Sequence, residues 1–288
     1  MFSRSVSKVL LLAATAGLAA GCSGVAGSSG PQSAGRSSAG TRAATPQQAV
    51  QLAAAYARQA TSVTANVTVQ GTGTTAMSLS GTVEEQTRPD LMAEASFPGT
   101  SLGGQSIPGG LTEIVTTKAA YLRFSALRGL TGGKAWLELP YSELSTALGG
   151  FDIGQIIQQA QDNSPLVQTQ MLAGATNVRK VGTSTVNGVP VTEYTGSYSV
   201  SAAVAQLPAS TRAVIEQDQA KAGIKSVTFD VWLDGQQQAR KLIVTEHGGV
   251  ENLTISMVVT SFNQPVNIQV PPAAQTASVP LSDLTLGN

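Results

Sequence analysis

Two-residue alternation of apolar and polar side chains limits what this chain can fold into more than any other feature. In SVTANVTVQ, Val63, Ala65, Val67 and Val69 fall on one side, and Thr64, Asn66 and Thr68 on the other. An extended strand projects successive side chains to opposite faces, so the pattern calls for a sheet with one covered face. The same period runs through Met77, Leu79, Gly81 and Val83 in AMSLSGTVEEQ. In DLMAEASF it sets Leu91, Ala93, Ala95 and Phe97 against Met92 and Glu94. TEIVTT, AAYLRFSA and AWLELP read as three further short strands. TNVRKVGTSTVNGVPVTEYTGSYSV reads as a hairpin that turns at Asn187-Gly188. KSVTFDVWLD, QARKLIVTEH and VENLTISMVVTSF supply three closing strands.

Helical segments are fewer and poorer in bulky side chains. Thr45 is placed to cap a helix that Pro46 opens, and PQQAVQLAAAYARQA continues with strong helix formers. Ser142 to Leu172 reads as a mixed helical region that Pro165 divides, with Asp152 as a cap before IGQIIQQAQ. Ser201 to Ala222 reads as helix with a second start at Pro208. The stretch FPGTSLGGQSIPGG is too rich in glycine and proline for a regular element and reads as a movable loop, a candidate gate. The sum is an α+β fold of about ten or eleven antiparallel strands in meander order, with helices packed on the concave face of a large curved sheet.

The N-terminus says where the chain acts. Arg4 and Lys8 precede a continuous apolar run from Val9 to Ala20, the layout of an export signal. The run is too short for a bilayer-spanning helix, which needs roughly 20 apolar residues. No later segment is long and apolar enough either, so residues 1–21 read as a signal and the chain as exported, not integral. Cys22, the only cysteine in 288 residues, follows Leu18, Ala19, Ala20 and Gly21. A small-residue run ending at a lone cysteine resembles a bacterial lipobox, whose cysteine becomes the acylated N-terminus. Fatty acyl chains such as palmitate on Cys22 would then hold the protein at the outer face of the cell membrane. Leu18 stands four residues before Cys22 instead of the usual three, and Ala-Ala-Gly also suits ordinary secretory cleavage. Residues 22–45 are rich in Ser, Gly and Ala and read as a flexible tether with a reach on the order of 25 Å. Residues 46–274 form the folded domain, and residues 275–288 a C-terminal tail.

Charge and chemistry exclude several functions. Basic and acidic side chains number 17 each, and loss of Arg4 and Lys8 with the signal leaves a net charge of about −2, which recommends no nucleic-acid partner. His247 is the only histidine, and no G-x-S-x-G elbow accompanies it. The expectation is therefore no enzyme, no metal and no cofactor. Asp230 and Asp234, and Glu84, Glu85 and Asp90, read as solvated carboxylates at strand ends, and Arg179-Lys180 and Arg240-Lys241 as solvated strand faces. What stands out is large apolar side chains sharing one strand face. Val67, Met77, Leu79, Leu122, Phe124, Phe229, Val231, Leu253, Ile255 and Met257 are candidate linings of an apolar cavity. A plain packed core would use the same residues.

The ordered set of motifs resembles the actinobacterial LppX/LprG-type lipoproteins, which are similar in fold to the LolA/LolB carriers. The resemblance rests on the lipobox at Cys22, on SVTANVTVQGTG after a short helix, and on VNGVPVTEYTGSYSV with a helix behind it. It also rests on VTFDVWLDGQQQARKLIV and on the closing SFNQPVNIQVPPA. Members often carry a Leu-Pro step after the Trp-x-Asp motif. Here Trp232-Leu233-Asp234 is followed by Gln237-Gln238-Ala239-Arg240-Lys241 without it. The resemblance implies a half-barrel sheet around a central helix, with an apolar cavity for the acyl chains of a lipid or glycolipid ligand. It implies a membrane-anchored carrier, expected to be a monomer, with no envelope transport partner specified. The other class left open is a surface lipoprotein that binds a protein partner or senses the envelope.

Overall fold

A computed structural model describes residues 44–73, 76–129, 131–141, 164–205, 224, 226–247 and 251–278. The expected signal, Cys22 and nearly all of the expected tether lie outside the described residues. So do residues 142–163 of the helical region expected at 142–172 and residues 206–222 of that expected at 201–222.

Alternation produces the expected sheet, and the strands hydrogen-bond into one thirteen-stranded array. In chain order they are β1 (Ser62–Gly73), β2 (Met77–Gln86), β3 (Met92–Leu102), β4 (Gln105–Ser106), β5 (Leu111–Val115), β6 (Ala119–Phe124) and β7 (Trp136–Pro140). They continue as β8 (Thr176–Val186), β9 (Val189–Ser199), β10 (Ser226–Leu233), β11 (Ala239–His247), β12 (Glu251–Phe262) and β13 (Thr276–Ser278). The spatial order is β13-β7-β6-β5-β3-β2-β1-β12-β11-β10-β9-β8, with β4 beside β3. Two meanders thus run outward from the centre, joined where the first long strand pairs with the last. The sheet is open, because its terminal strands β13 and β8 do not pair with each other.

Among the described residues three α-helices accompany it: α1 (Pro46–Gln59), α2 (Pro165–Met171) and the short α3 (Val200–Val204). At the start of α1, Thr45 Oγ1 accepts from the Gln48 amide while Gln48 Oε1 accepts from the Thr45 amide, a reciprocal cap. Its buried stripe is Ala49, Val50, Ala53, Ala54 and Ala57, and such small side chains let the helix lie close to its neighbours. Helix α2 is capped by Ser164 and buried on nearly every side, from Pro165 through Thr169 and again at Met171. A helix without a wet face belongs inside a wrapping sheet. Both helices share one core with Val67, Leu79, Phe97, Phe229, Leu242 and Met257, which defines the inner face.

Four features depart from the sequence reading. The strand count rises by two short strands. The glycine- and proline-rich stretch is no loose loop: β3 extends to Leu102, turns at Gly103-Gly104 (φ 58° and 77°) and returns as β4. Pro98 has no amide proton to give the ladder, and the pairing shifts opposite it, between Ser80 and Thr82. The tail expected from residue 275 instead adds β13, which pairs in parallel with β7, and Lys134 Nζ donates to the Thr276 carbonyl at 2.7 Å. On the way, Ile268 packs against Ile114, Ala119, Tyr121 and Trp136 on the outer face, so β5 is buried on both sides. Finally, Asp234 is buried and organises a turn. Its carboxylate accepts from the Gln236 and Gln238 amides at 2.9 Å and from Arg240 Nε at 2.7 Å. In the same corner Lys241 lies over the Trp232 ring, 4.3 Å from its centroid. The Asn187-Gly188 turn is as expected, with both φ values positive.

Among the described glycines Gly81 has the least room for a side chain: a Cβ there would meet the Ser96 carbonyl oxygen at 1.8 Å. At Gly99, by contrast, a Cβ would meet nothing closer than 3.5 Å. Gly81→Ala is therefore expected to lower stability by at least about 2 kcal/mol while Gly99→Ala stays within about 0.5 kcal/mol of the parent. Urea unfolding of the two variants measures the difference.

Candidate functional site

The pairing registers place all ten candidate lining residues on the inner face. Directly opposed residues share a face, and Val67 opposes Met257, which opposes Leu242, which opposes Val231. A second row runs Leu79, Val69, Ile255, Val244 and Phe229. Leu122 and Phe124 join the same face through Glu113 and Leu111. Seven of the ten are buried: Val67, Leu79, Leu122, Phe229, Val231, Ile255 and Met257. Met77, Phe124 and Leu253 are only half buried.

Those three residues share one end of the sheet. Met77 opposes Leu102 of β3 on one side and Gly71 of β1 on the other, and Gly71 opposes Leu253. Phe124 and Leu102 pack together on Leu111. Helix α1 begins at the same end, because Gln47 Nε2 donates to the Ala175 carbonyl, one residue before β8 starts, at 2.6 Å. Its other end is held at the opposite edge, where Tyr56 Oη accepts from Gln238 Nε2 at 2.8 Å and from Asn263 Nδ2 at 3.1 Å. The chain therefore comes into the domain at the same end of the sheet as the half-buried apolar rim.

Sequence reasoning missed the polar groups that this face also carries. Glu85 was expected at a solvated strand end, yet it is 1 % exposed. Its carboxylate accepts a short hydrogen bond from Ser164 Oγ, which itself accepts from the Leu166 amide at 3.0 Å and the Val167 amide at 3.4 Å. Glu113 is equally buried, and its Oε2 has no hydrogen-bond partner. The Tyr141 and Tyr198 hydroxyls are likewise buried without partners, Tyr198 stacking on Phe229 with centroids 6.2 Å apart. Parity held the signal: Glu85 continues the series Met77, Leu79, Gly81, Val83, and Glu113 alternates with Leu111 and Val115. Burial raises the Glu85 carboxyl to about 7 despite the opposing Ser164 bond, and raises Glu113 to about 8. The Tyr141 phenol is pushed up by burial first and by the nearby Glu113 carboxylate second.

The remaining candidates are ordinary. His247 is exposed, its Nδ1 3.2 Å from Asn252 Oδ1. Arg179 and Lys180 are exposed on β8. Cys22 lies outside the described residues. Among the described residues no group of three or more His, Cys, Asp or Glu side chains is placed to hold a metal ion, and no helix is long and apolar enough to cross a membrane.

No family model matches the chain. It is 33% identical over 156 residues to an uncharacterized 31.2 kDa protein of Streptomyces griseus, covering 53% of this chain and 50% of that one. It is 25% identical over 146 residues to a provisionally named lipoprotein of Streptomyces coelicolor, covering 51% of this chain and 43% of that one. The chain thus spans about half the length of the relatives it matches. Among solved structures it is similar to the lipoprotein LppX of Mycobacterium tuberculosis, with 19% identity and a TM-score of 0.45 over 78% of this chain and 98% of that one. It is also similar to LprF from Mycobacterium bovis, with 14% identity and a TM-score of 0.48 over 78% and 96%.

The buried carboxyls link folding to pH. Both have folded values above the ordinary 4.5, so between about 4.5 and about 8 the folded state holds protons that the unfolded state has lost. Their contribution is complete below about 4.5 and is lost as pH rises through about 7 for Glu85 and about 8 for Glu113. The slope is at most about 1.4 kcal/mol per pH unit for each carboxyl. Denaturant titrations across this range should show stability falling with pH, and Glu113→Gln should flatten the upper part of the fall.

Proposed function

We propose that this is a lipid-anchored envelope protein that takes the acyl chains of a lipid or glycolipid against the inner face of its sheet. The observation that carries the reading is the shared position of the apolar rim and the start of α1. Met77, Leu102, Phe124 and Leu253 are half buried at the end where the chain comes in from Cys22. An acylated Cys22 on a tether reaching on the order of 25 Å would hold that end toward the bilayer that supplies the ligand. The lipoprotein name of the Streptomyces coelicolor relative agrees with such an anchor.

The mechanism is desolvation without chemistry. An acyl chain moving from bilayer to an apolar protein face exchanges one dry surface for another, so transfer costs little in either direction. In water the same chain would lose about 0.8 kcal/mol of favourable burial per CH₂ group. Glycine-rich turns at the rim, Gly103-Gly104 and Gly109-Gly110, carry positive φ values that other residues rarely adopt. They keep that end of β3 and β4 short of bulky side chains. No residue is assigned a catalytic role.

Native mass spectrometry of the full chain purified from membranes is expected to show a co-purifying lipid mass. Leu253→Asp at the rim should lower its occupancy severalfold, and a uniformly ligand-free protein would sink the reading. Cys22→Ser should release the chain from the membrane fraction into the soluble one, measured by fractionation. Retention in the membrane fraction would refute the anchor.

A further inference from the structure

We propose that Glu113 and Tyr141 form a polar seat within the apolar inner face, which receives the free hydroxyl of an uncharged, incompletely acylated lipid such as a diacylglycerol. This rests on the lipid reading above and names the part of the ligand that the seat would select. Glu113 stands in an inner-face row between Ala95 and Leu122, with Val83 and Leu137 beyond them. Tyr141 follows β7 in phase with Leu137 and Leu139, and its amide donates to the Lys118 carbonyl at 3.1 Å. The two side chains are 3 % and 2 % exposed, yet Glu113 Oε2 and the Tyr141 hydroxyl have no hydrogen-bond partner.

A buried polar atom without a partner costs about 1–3 kcal/mol, and the Glu113 carboxylate is near enough to push the Tyr141 phenol up, so the two unpartnered groups together invite a ligand group. The inner-face positions neighbouring Glu113 are the small residues Ala93, Ala95 and Ala120. The charge state narrows the class. Burial pushes the Glu113 carboxyl up to about 8, which favours its protonated form at neutral pH. A protonated carboxyl donates, and a phenol both donates and accepts. A hydroxyl complements both, accepting from Glu113 and donating to Tyr141. Leu122 and Leu137 in the same row, and Val83 beyond Ala95, would meet the hydrocarbon on either side.

The test offers 1,2-dioleoylglycerol and trioleoylglycerol separately, in phosphatidylcholine vesicles, to the full chain and reads the bound fraction by native mass spectrometry. The parent chain is expected to prefer the diacylglycerol about tenfold. Tyr141→Phe and Glu113→Leu should each bring the preference toward unity while trioleoylglycerol uptake stays unchanged. Should Glu113→Leu fail to fold, Glu113→Gln, of equal size, is expected to lower the preference by a smaller factor. Equal uptake of both lipids by the parent, or a preference that survives the substitutions, overturns the seat and leaves the lipid reading standing. Uptake of neither lipid overturns both.

Discussion

The antiparallel pairing of β1 with β12 is the junction on which the rest of the molecule depends. In the strand order it is the one place where the β7-to-β1 meander meets the β12-to-β8 meander. The two strands are far apart in sequence, so the pairing carries the ordering cost of a long closed loop before it returns any burial. Its register, shifted once between Thr64 and Ala65, aligns Val67 with Met257 and Val69 with Ile255. A slip by one residue would turn each of these side chains to the outer face. The apolar rows that cross the whole sheet exist because this one register is held.

Covering that face is the second constraint, and the sequence meets it with slim helices. The alanine stripe of α1 and the almost fully buried α2 fit inside the curve of the sheet where bulkier helices would hold it open. The joint between α2 and the sheet is polar, through Ser164 and Glu85. One serine hydroxyl accepts from two amides at the helix start and donates to a carboxylate of β2, so the cap and the docking point are the same atom. Glu113, on the same face, has no comparable partner. Of two carboxyls in similar burial, one is explained by the architecture and the other is not, and that contrast singles out Glu113.

How far the fold could be read from the residues varied with the range of the forces involved. The alternation in β1, β2 and β3, the capped start of α1, the helix at Pro165 and the Asn187-Gly188 turn depend on neighbours a few residues away, and all were legible. The stretch after Phe97 was misread because its glycines and prolines disfavour strand in isolation, while pairing with β2 overrides that preference. The segment Thr276–Ser278 carries almost no local signal and becomes strand only because the edge of β7 is open to it. Glu85 and Asp234 were misread as solvated for a similar reason. Burial of a carboxylate depends on what packs over it, here Ser164 for one and the Arg240 turn for the other.

The sequence by itself determined the strand periodicity, the apolar identity of one face and the starts of α1 and α2. These follow from side-chain parity and backbone preference, which act within a few residues. Tertiary structure alone decided that the first and last long strands meet at the centre, and that the chain comes in at the same end of the sheet as the half-buried rim. It also decided that Glu113 and Tyr141 lie buried without partners. Those outcomes depend on which distant segments close over one another, and such closure is a property of the whole sheet that no local stretch encodes.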